Sequence, residues 1–318
     1  MALSDLAVFS EYVYTAQTEV LRQQVELFNA ATNGGIVLQA VAHQGDYSDV
    51  ALWAKISGLV RRRNAYGTGA VAAKDLAMLI DTMVKVAAGT PPVNMPPGMF
   101  EWIQRNPEEG GAVVGQQLAV DTLADMLNTA ILATVAALAG VPAIVTDGSA
   151  ALATVASFND AQSKFGDAYQ SLVVWVMHSK PMFDIFGAAL TNTSQLFTFG
   201  TVNVRTDPFG RLFVLSDSPA MITTGTPNIY NTIGLVPGGV RVHQNGDYTD
   251  NIQTINGQEN IQRTFQAEWS YELGIKGFAW DKTNGGKSPA DAALGVSTNW
   301  DRYATSIKDL AGVLLKTK

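Results

Sequence analysis

The stretch DMLNTAILATVAALAGVPAIVTD, from Asp125 to Asp147, carries no charge between its two end carboxylates. Together with the segment leading into it from Ala112, it sets Val120, Leu123, Leu127, Ile131, Val135 and Leu138 at three- and four-residue steps, the repeat of one helix face. Gly140 and Pro142 end the pattern, because proline cannot continue the helical hydrogen-bond ladder and glycine relaxes the last turn. From Ala112 to Ala139 such a helix is about 42 Å long, a strut longer than most compact domains need. Met126 to Thr146 also has the length of a membrane span. It holds Asn128, Thr129, Thr134 and Pro142, however, and lacks the flanking Lys or Arg that would orient it. A helix packed on a sheet accounts for it better.

Upstream, Ser4 stands where it can cap a helix with Leu6, Phe9, Val13, Ala16 and Val20 on one stripe and Leu21, Val25 and Phe28 beside it. Asn33, Gly34 and Gly35 stop it. Residues 36–97 then read as an extended, poorly cored excursion: a strand from Ile36 to Val41, a turn at Gly45 and Asp46, and an extended run from Leu52 to Val60. Arg61, Arg62 and Arg63 follow, then a short helical pattern from Ala72 to Ile80 and a returning strand from Met83 to Ala87. Gly89, Pro91, Pro92, Pro96 and Pro97 close the segment. A stretch of this length with so little to bury finds its partner in another subunit. The three arginines read either as a bidentate clamp on a neighbour's acidic groups or as a solvated strand face.

After the prolines, Met99 to Gln104 reads as a short helix and Pro107 begins the next. Phe158 to Tyr169 is a polar helix, Leu172 to Met177 a buried strand around Trp175, and Pro181 to Leu190 a further helix. From residue 196 the pattern is mostly β. Asp207-Pro208-Phe209-Gly210 joins Thr201–Arg205 to Arg211–Leu215 as a hairpin, and Pro237-Gly238-Gly239 joins Ile229–Val236 to Val240–His243 as a second one. Ile261 to Leu273 is the longest strand; Ser288-Pro289 starts a helix, another lies near Trp300 to Ile307, and Ala311 to Leu315 is a last strand.

The totals exclude several functions. A chain of 318 residues that is 47% hydrophobic and 15% charged buries a sizeable core and leaves a surface poor in solubilising groups, which suits a protein that hides its surface against copies of itself. A net charge of −7 gives no basic footprint for nucleic acid. There is no cysteine, so no disulfide, thiolate site or thiol nucleophile. Met1 to Leu6 lacks the basic and apolar regions of a secretory signal.

Catalytic and cofactor motifs fail on context. Gly67-Thr68-Gly69-Ala70-Val71-Ala72 matches a dinucleotide fingerprint but lacks the strand before it. Gly286-Lys287-Ser288 resembles the end of a phosphate loop, yet Asp281 stands where the first glycine belongs. His43, His178 and His243 lack metal-ligand spacing. His178 reads as a strand-end histidine or, in principle, a general base without a partner. Trp175, Trp269, Trp280 and Trp300 fall in core elements. No cofactor, metal or catalytic residue is expected.

The order of elements resembles the major capsid protein of tailed bacteriophages, an α+β shell fold of the Hong-Kong-97 type. Phrases similar to that family's are Gly58-Leu59-Val60-Arg61-Arg62-Arg63, Trp175-Val176-Met177-His178-Ser179-Lys180, and Arg211-Leu212-Phe213-Val214-Leu215-Ser216-Asp217 with Pro219. Gly277-Phe278-Ala279-Trp280, Ser288-Pro289 and Asn299-Trp300 complete the series. The likeness covers essentially the whole chain.

The resemblance implies an N-arm over residues 1–35, an E-loop over 36–97 reaching across a neighbour, a P-domain around the spine helix over 98–170, and an A-domain over 171–274 gathered at the capsomer centre. The P-domain is completed by the return at 275–318. It also implies hexamers and pentamers closing an icosahedral head around double-stranded DNA held without sequence-specific contacts and without a membrane, assembled in the host cytoplasm. Separate scaffolding, portal and cement proteins would be partners. With the arm starting at Met1, scaffolding is expected as a separate chain or not at all. Lys55, Lys74 and Lys85 lie in the loop where some relatives crosslink, but no reactive pair is identified. Arg61, Arg62 and Arg63 are the candidate inter-subunit residues. Two other readings fit the residues: an encapsulin-like nanocompartment shell, and a soluble α+β enzyme with no recognisable site.

Overall fold

In the computed structural model, which describes residues 3–54, 59–96, 98, 105–186, 194–199, 202–206, 212–257 and 259–318, helix α1 (Leu3–Ala31) lies along helix α2 (Pro107–Ala139). The two run in the same direction and touch closely. Phe9 and Tyr12 stand over Gly111, Val13 and Ala16 over Gly115, and Gln17 donates to Thr122 Oγ1 at 3.4 Å. Glycine is required here: a Cβ on Gly115 would lie 2.5 Å from the Val13 carbonyl oxygen.

Pro107 opens α2, and Glu108 and Glu109 sit in its first turn, where the helix dipole favours negative charge. Gly140 caps its end. The sequence points to one apolar stripe, but burial in the second half runs nearly around the helix, through Met126, Leu127, Ala130, Ile131, Ala133, Thr134, Ala136, Ala137 and Leu138. That explains the alanines, which let neighbours approach from several directions. The Thr134 hydroxyl donates to the Ala130 carbonyl at 2.6 Å, so its burial leaves no donor unpaired. This helix is long and apolar enough to cross a membrane, and 67% of its apolar window is buried inside the protein.

Among the described residues the first sheet has nine strands: β1 (Ile36–Ala40), β2 (Tyr47–Trp53), β3 (Met78–Gly89), β4 (Val93–Met95), β12 (Val240–Gln244), β13 (Thr249–Ile255), β14 (Gln262–Ile275), β15 (Phe278–Trp280) and β16 (Trp300–Arg302). The fourteen-residue β14 is its axis, with β12 and β13 along one edge and β3 and β4 along the other. The second sheet runs β5 (Val145–Gly148), β17 (Gly312–Thr317), β11 (Ile229–Leu235), β6 (Val174–Met177), β9 (Leu212–Leu215), β8 (Val202–Thr206), β7 (Ser194–Phe199), with β10 (Ile222–Thr223) also on β11. Helices α3 (Val155–Ser163), α4 (Ser179–Phe186) and α5 (Asp291–Leu294) complete the fold. One core joins both sheets to α2, with Trp175, Trp280 and Trp300 buried in it. Gly234 leaves room for the Trp175 ring, which would lie 2.9 Å from an added Cβ.

Several sequence expectations change. Pro237-Gly238-Gly239 does not close a hairpin, because β11 pairs with β6 and β17 while β12 pairs with β1 and β14. The turn is a crossover between sheets, tied down where the Gly238 amide donates to Gly34 O at 2.7 Å and the Lys276 amide to Gly239 O at 2.9 Å. Ala72 to Ile80 is not helical: residues 68–77 have no regular structure, and Met78, Leu79 and Ile80 pair with Trp53, Leu52 and Ala51. Inter-strand hydrogen bonds override the local helical spacing. The region from Trp300 to Ile307 holds strand β16 and no α-helix, and the polar helix stops at Ser163, ahead of a 3-10 segment entered through Gly166 at φ 56°. β8 and β9 do pair antiparallel, as a hairpin requires, while its turn at 207–210, like the short helix expected over Met99 to Gln104, lies outside the described residues.

The expected segments do not coincide with the sheets. β12 and most of β14, in the stretch 171–274, belong with β1 and β3, whereas β17, from the stretch 275–318, sits between β5 and β11. The excursion at 36–97 is also anchored at both ends: Ile36 and Leu38 are buried against β12, and Val84 and Val86 against β14.

Candidate inter-subunit surface

What remains of the excursion is a limb: β2 and the first half of β3 as a two-stranded ladder, from Tyr47 opposite Val84 to Trp53 opposite Met78, continuing past Ala54, whose amide donates to Ala77 O at 2.8 Å. Residues 59–77 beyond it are exposed. Trp53 is 69% exposed, Val60 95% and Tyr66 94%, and Leu59, Leu76, Met78 and Ile80 also face water. Isolated apolar residues on a surface are ordinary, but this many on one element make it the candidate contact surface.

Ion pairs fix the limb's root. Arg241 on β12 meets Asp81 at 2.5 Å, with Asp81 only 3% exposed. Lys282 meets Asp49 at 2.5 Å and lies 5.2 Å over the Tyr47 ring, and Thr82 also donates to Asp49 at 2.7 Å. Lys287 meets Asp46 at 2.8 Å. The hydrogen bond from Lys282 to Asp49, and that from Lys287 to Asp46, hold both carboxyls below their usual range. Behind the root, His43 donates to Tyr47 O at 2.9 Å and lies 3.6 Å from Glu272, whose burial pushes its carboxyl up.

The lysines are presented by a built loop. Asp281 accepts from the amides of Thr283 and Asn284 at 2.8 and 3.2 Å, and Trp280 Nε1 donates to Gly286 O at 3.0 Å, tying the loop to the core. The phosphate-loop resemblance at Gly286 to Ser288 therefore resolves into a surface loop whose lysine holds an aspartate.

Arg61, Arg62 and Arg63 lie on the exposed part of the limb, and among the described residues none of them meets a carboxylate of the same subunit. The glycines at 67 and 69 lie in the same irregular stretch, with no strand before them and no helix after. Trp53, Tyr66, Leu76, Met78 and Ile80 were not singled out in the sequence; their signal was apolar residues on both faces of one hairpin.

His178 is a strand-end residue. Its Nδ1 accepts from the Lys180 amide at 3.1 Å, and Asp217, 3.5 Å from Nε2, accepts from the Ser179 amide at 3.1 Å, so both groups serve the first turn of α4. Burial pushes the Asp217 carboxyl up, but the Ser179 hydrogen bonds and His178 outweigh it and leave it below its usual range. The Ser179 hydroxyl, 3.4 Å from Nδ1, faces a nitrogen already occupied. Among the described residues no group of His, Asp or Glu is arranged to hold a metal ion.

Comparison with known proteins gives one family match: the model described as Gp13-like, major capsid protein 13-like, matches residues 5–314. No curated protein matches the chain. Among solved structures, it is similar to a chain of the cyanophage Pam1 capsid asymmetric unit, at 10% identity over 86% of this chain and 85% of that one with a TM-score of 0.51. A chain of Mycobacterium phage Adephagia is 9% identical over 91% and 90% with a TM-score of 0.49, and one of the Ralstonia phage GP4 capsid 11% identical over 90% and 87% with a TM-score of 0.44. At 10% identity, the Pam1 likeness is a likeness of fold.

Proposed function

This chain belongs to the Gp13-like major capsid protein family, and from that premise we propose that its subunits close into hexamers and pentamers with each limb laid across a neighbour. The protein is a phage capsid protein of the Hong-Kong-97-type α+β fold, with a structural, shell-forming role. The observation that carries the finer reading is the limb: a rooted ladder projecting a row of apolar side chains that its own subunit leaves in water. Buried apolar surface contributes roughly 25 cal/mol per Å², so an exposed Trp, Val and Tyr on each of many identical limbs give a closed shell a large summed stability from modest pairwise contacts.

In this reading residues 1–35 form the N-arm and 36–97 the E-loop with its root in the body. Residues 98–170 and 275–318 form the P-domain, and 171–274 the A-domain. Arg61, Arg62 and Arg63 reach acidic groups of the next subunit, which agrees with their meeting no carboxylate among the described residues. The role is non-enzymatic. The net charge of −7 suits a lining that encloses double-stranded DNA without gripping it. Assembly in the host cytoplasm, with a portal and, where such a head uses them, scaffolding and cement proteins as partners, is part of the same proposal.

The test truncates the limb where Ala54 and Ala77 face each other, joining them through Asn-Gly, the preferred two-residue hairpin turn. The subunit is expected to stay folded by circular dichroism and to form no shells by electron microscopy and native mass. Shells of normal size from the truncated chain would refute the proposal.

A further inference from the structure

We propose that the limb is a hinged strap with two positions, latched in the present one by Lys282 and Lys287 and able, when they let go, to fold down over the cleft behind it. Among the described residues, three ion pairs set an acid of the limb root on a base of the body: Asp46, Asp49 and Asp81 on the limb side, Lys287, Lys282 and Arg241 on the body, while Lys85, beside Asp46 on β3, meets Asp247 with the opposite polarity. They differ in depth. The Asp81 side chain is 3% exposed, which makes it a pivot, whereas those of Asp49 and Asp46 are 45% and 47% exposed, and exposed pairs hold weakly and yield to salt.

The pleat of the strands sorts the two faces. Tyr47, Asp49 and Thr82 face the lysine loop. Val50, Leu52, Leu79 and Asp81 line the opposite side, where a cleft of about 550 Å³ separates them from Pro237, Tyr303 and Thr305. Val50 and Leu52 are left in water on that side, so closing the cleft would bury apolar surface that the latched position exposes. The link from β1 into the limb, residues 41–46, has no regular structure and contains Gly45 at φ 131°, a conformation that suits a hinge because other residues avoid it.

This inference rests on contacts inside one subunit and is tested there, so its failure leaves the shell reading standing, and failure of the shell reading does not touch it. The chain has no cysteine, so Leu52→Cys with Thr305→Cys introduces a lone thiol pair whose disulfide forms only when the cleft shuts. In purified unassembled subunits with oxidised glutathione added as the electron acceptor, adding Lys282→Ala and Lys287→Ala is expected to speed disulfide formation roughly two- to thirtyfold, the range two exposed pairs can shift an equilibrium. Raising sodium chloride to about 0.5 M should speed it only where the lysines are present, since that exceeds the screening needed for exposed charges. No disulfide in either protein, equal rates, or the same salt response in both would overturn the proposal. If the cysteine pair disturbs folding, hydroxyl-radical oxidation of Val50 and Leu52 reads the same closure without it: oxidation should fall in the double-alanine protein and with salt in the unsubstituted one, and unchanged oxidation would refute the latch.

Discussion

Replacing Gly115 with alanine sets two effects of opposite sign against each other. An alanine in a helix interior is favoured over glycine by about 1 kcal/mol. The added methyl would lie 2.5 Å from the Val13 carbonyl oxygen, 2.9 Å from Ala16 Cβ and 3.1 Å from the Gln17 amide nitrogen. Two of these are backbone atoms, so no rotamer change relieves the clash, and α1 must lift from α2 by roughly 1 Å to restore ordinary contact. Overpacking of this kind costs about 1–3 kcal/mol, here at the upper end because a rigid helix transmits the shift to Phe9, Val13 and Leu118. The net expectation is a loss of about 1–2 kcal/mol, read as a lower midpoint at unchanged slope in urea unfolding of the unassembled subunit. Gly111→Ala should behave alike, since its Cβ would meet Phe9 O and Tyr12 Cβ at 2.8 Å. The double variant should cost less than the sum, because a helix already lifted clears both sites. Gln116→Ala, on the exposed side, should move the midpoint by no more than about 0.5 kcal/mol. A midpoint that rises for Gly115→Ala would refute the docking of α1 on α2.

Other perturbations address the limb and its root. Asp81→Ala strands the Arg241 guanidinium and should destabilise the subunit by about 2–3 kcal/mol, below the usual cost of breaking a fully buried pair because Arg241 is 26% exposed; thermal unfolding measures it. For Glu272 the folded pKa is raised by burial, so its ionisation opposes folding, and that penalty grows as pH rises from the ordinary carboxylate range up through the folded value. Glu272→Gln should therefore gain stability relative to the unsubstituted chain as pH rises, and a difference constant from pH 4 to 8 would contradict it. Replacing Arg61, Arg62 and Arg63 with glutamate should leave subunit unfolding within about 0.5 kcal/mol of the original while raising the concentration needed for shells; equal losses in both measurements would remove the clamp.

The helices, the long strand and the tryptophan core were legible because each is a local pattern: three- and four-residue steps in α1 and α2, apolar residues over β14, breakers at Asn33 to Gly35 and at Gly140. The excursion at 36–97 was legible through what it lacks. Partnerships between distant strands were not. Pro237-Gly238-Gly239 carries hairpin chemistry, and only the placement of β12 beside β1 and of β11 beside β17 shows that the chain changes sheets there. The helical spacing from Ala72 to Ile80 was overridden by a ladder to β2 that no local window contains. The lysine loop was invisible for the same reason, since Asp49 and Lys282 meet only through the fold.

Strand β17 lies between β5 and β11, and its Val313, Leu314 and Leu315 are among the most deeply enclosed residues in the molecule. Both flanking strands emerge from the ribosome long before it, and neither can complete its ladder until residue 317 is free.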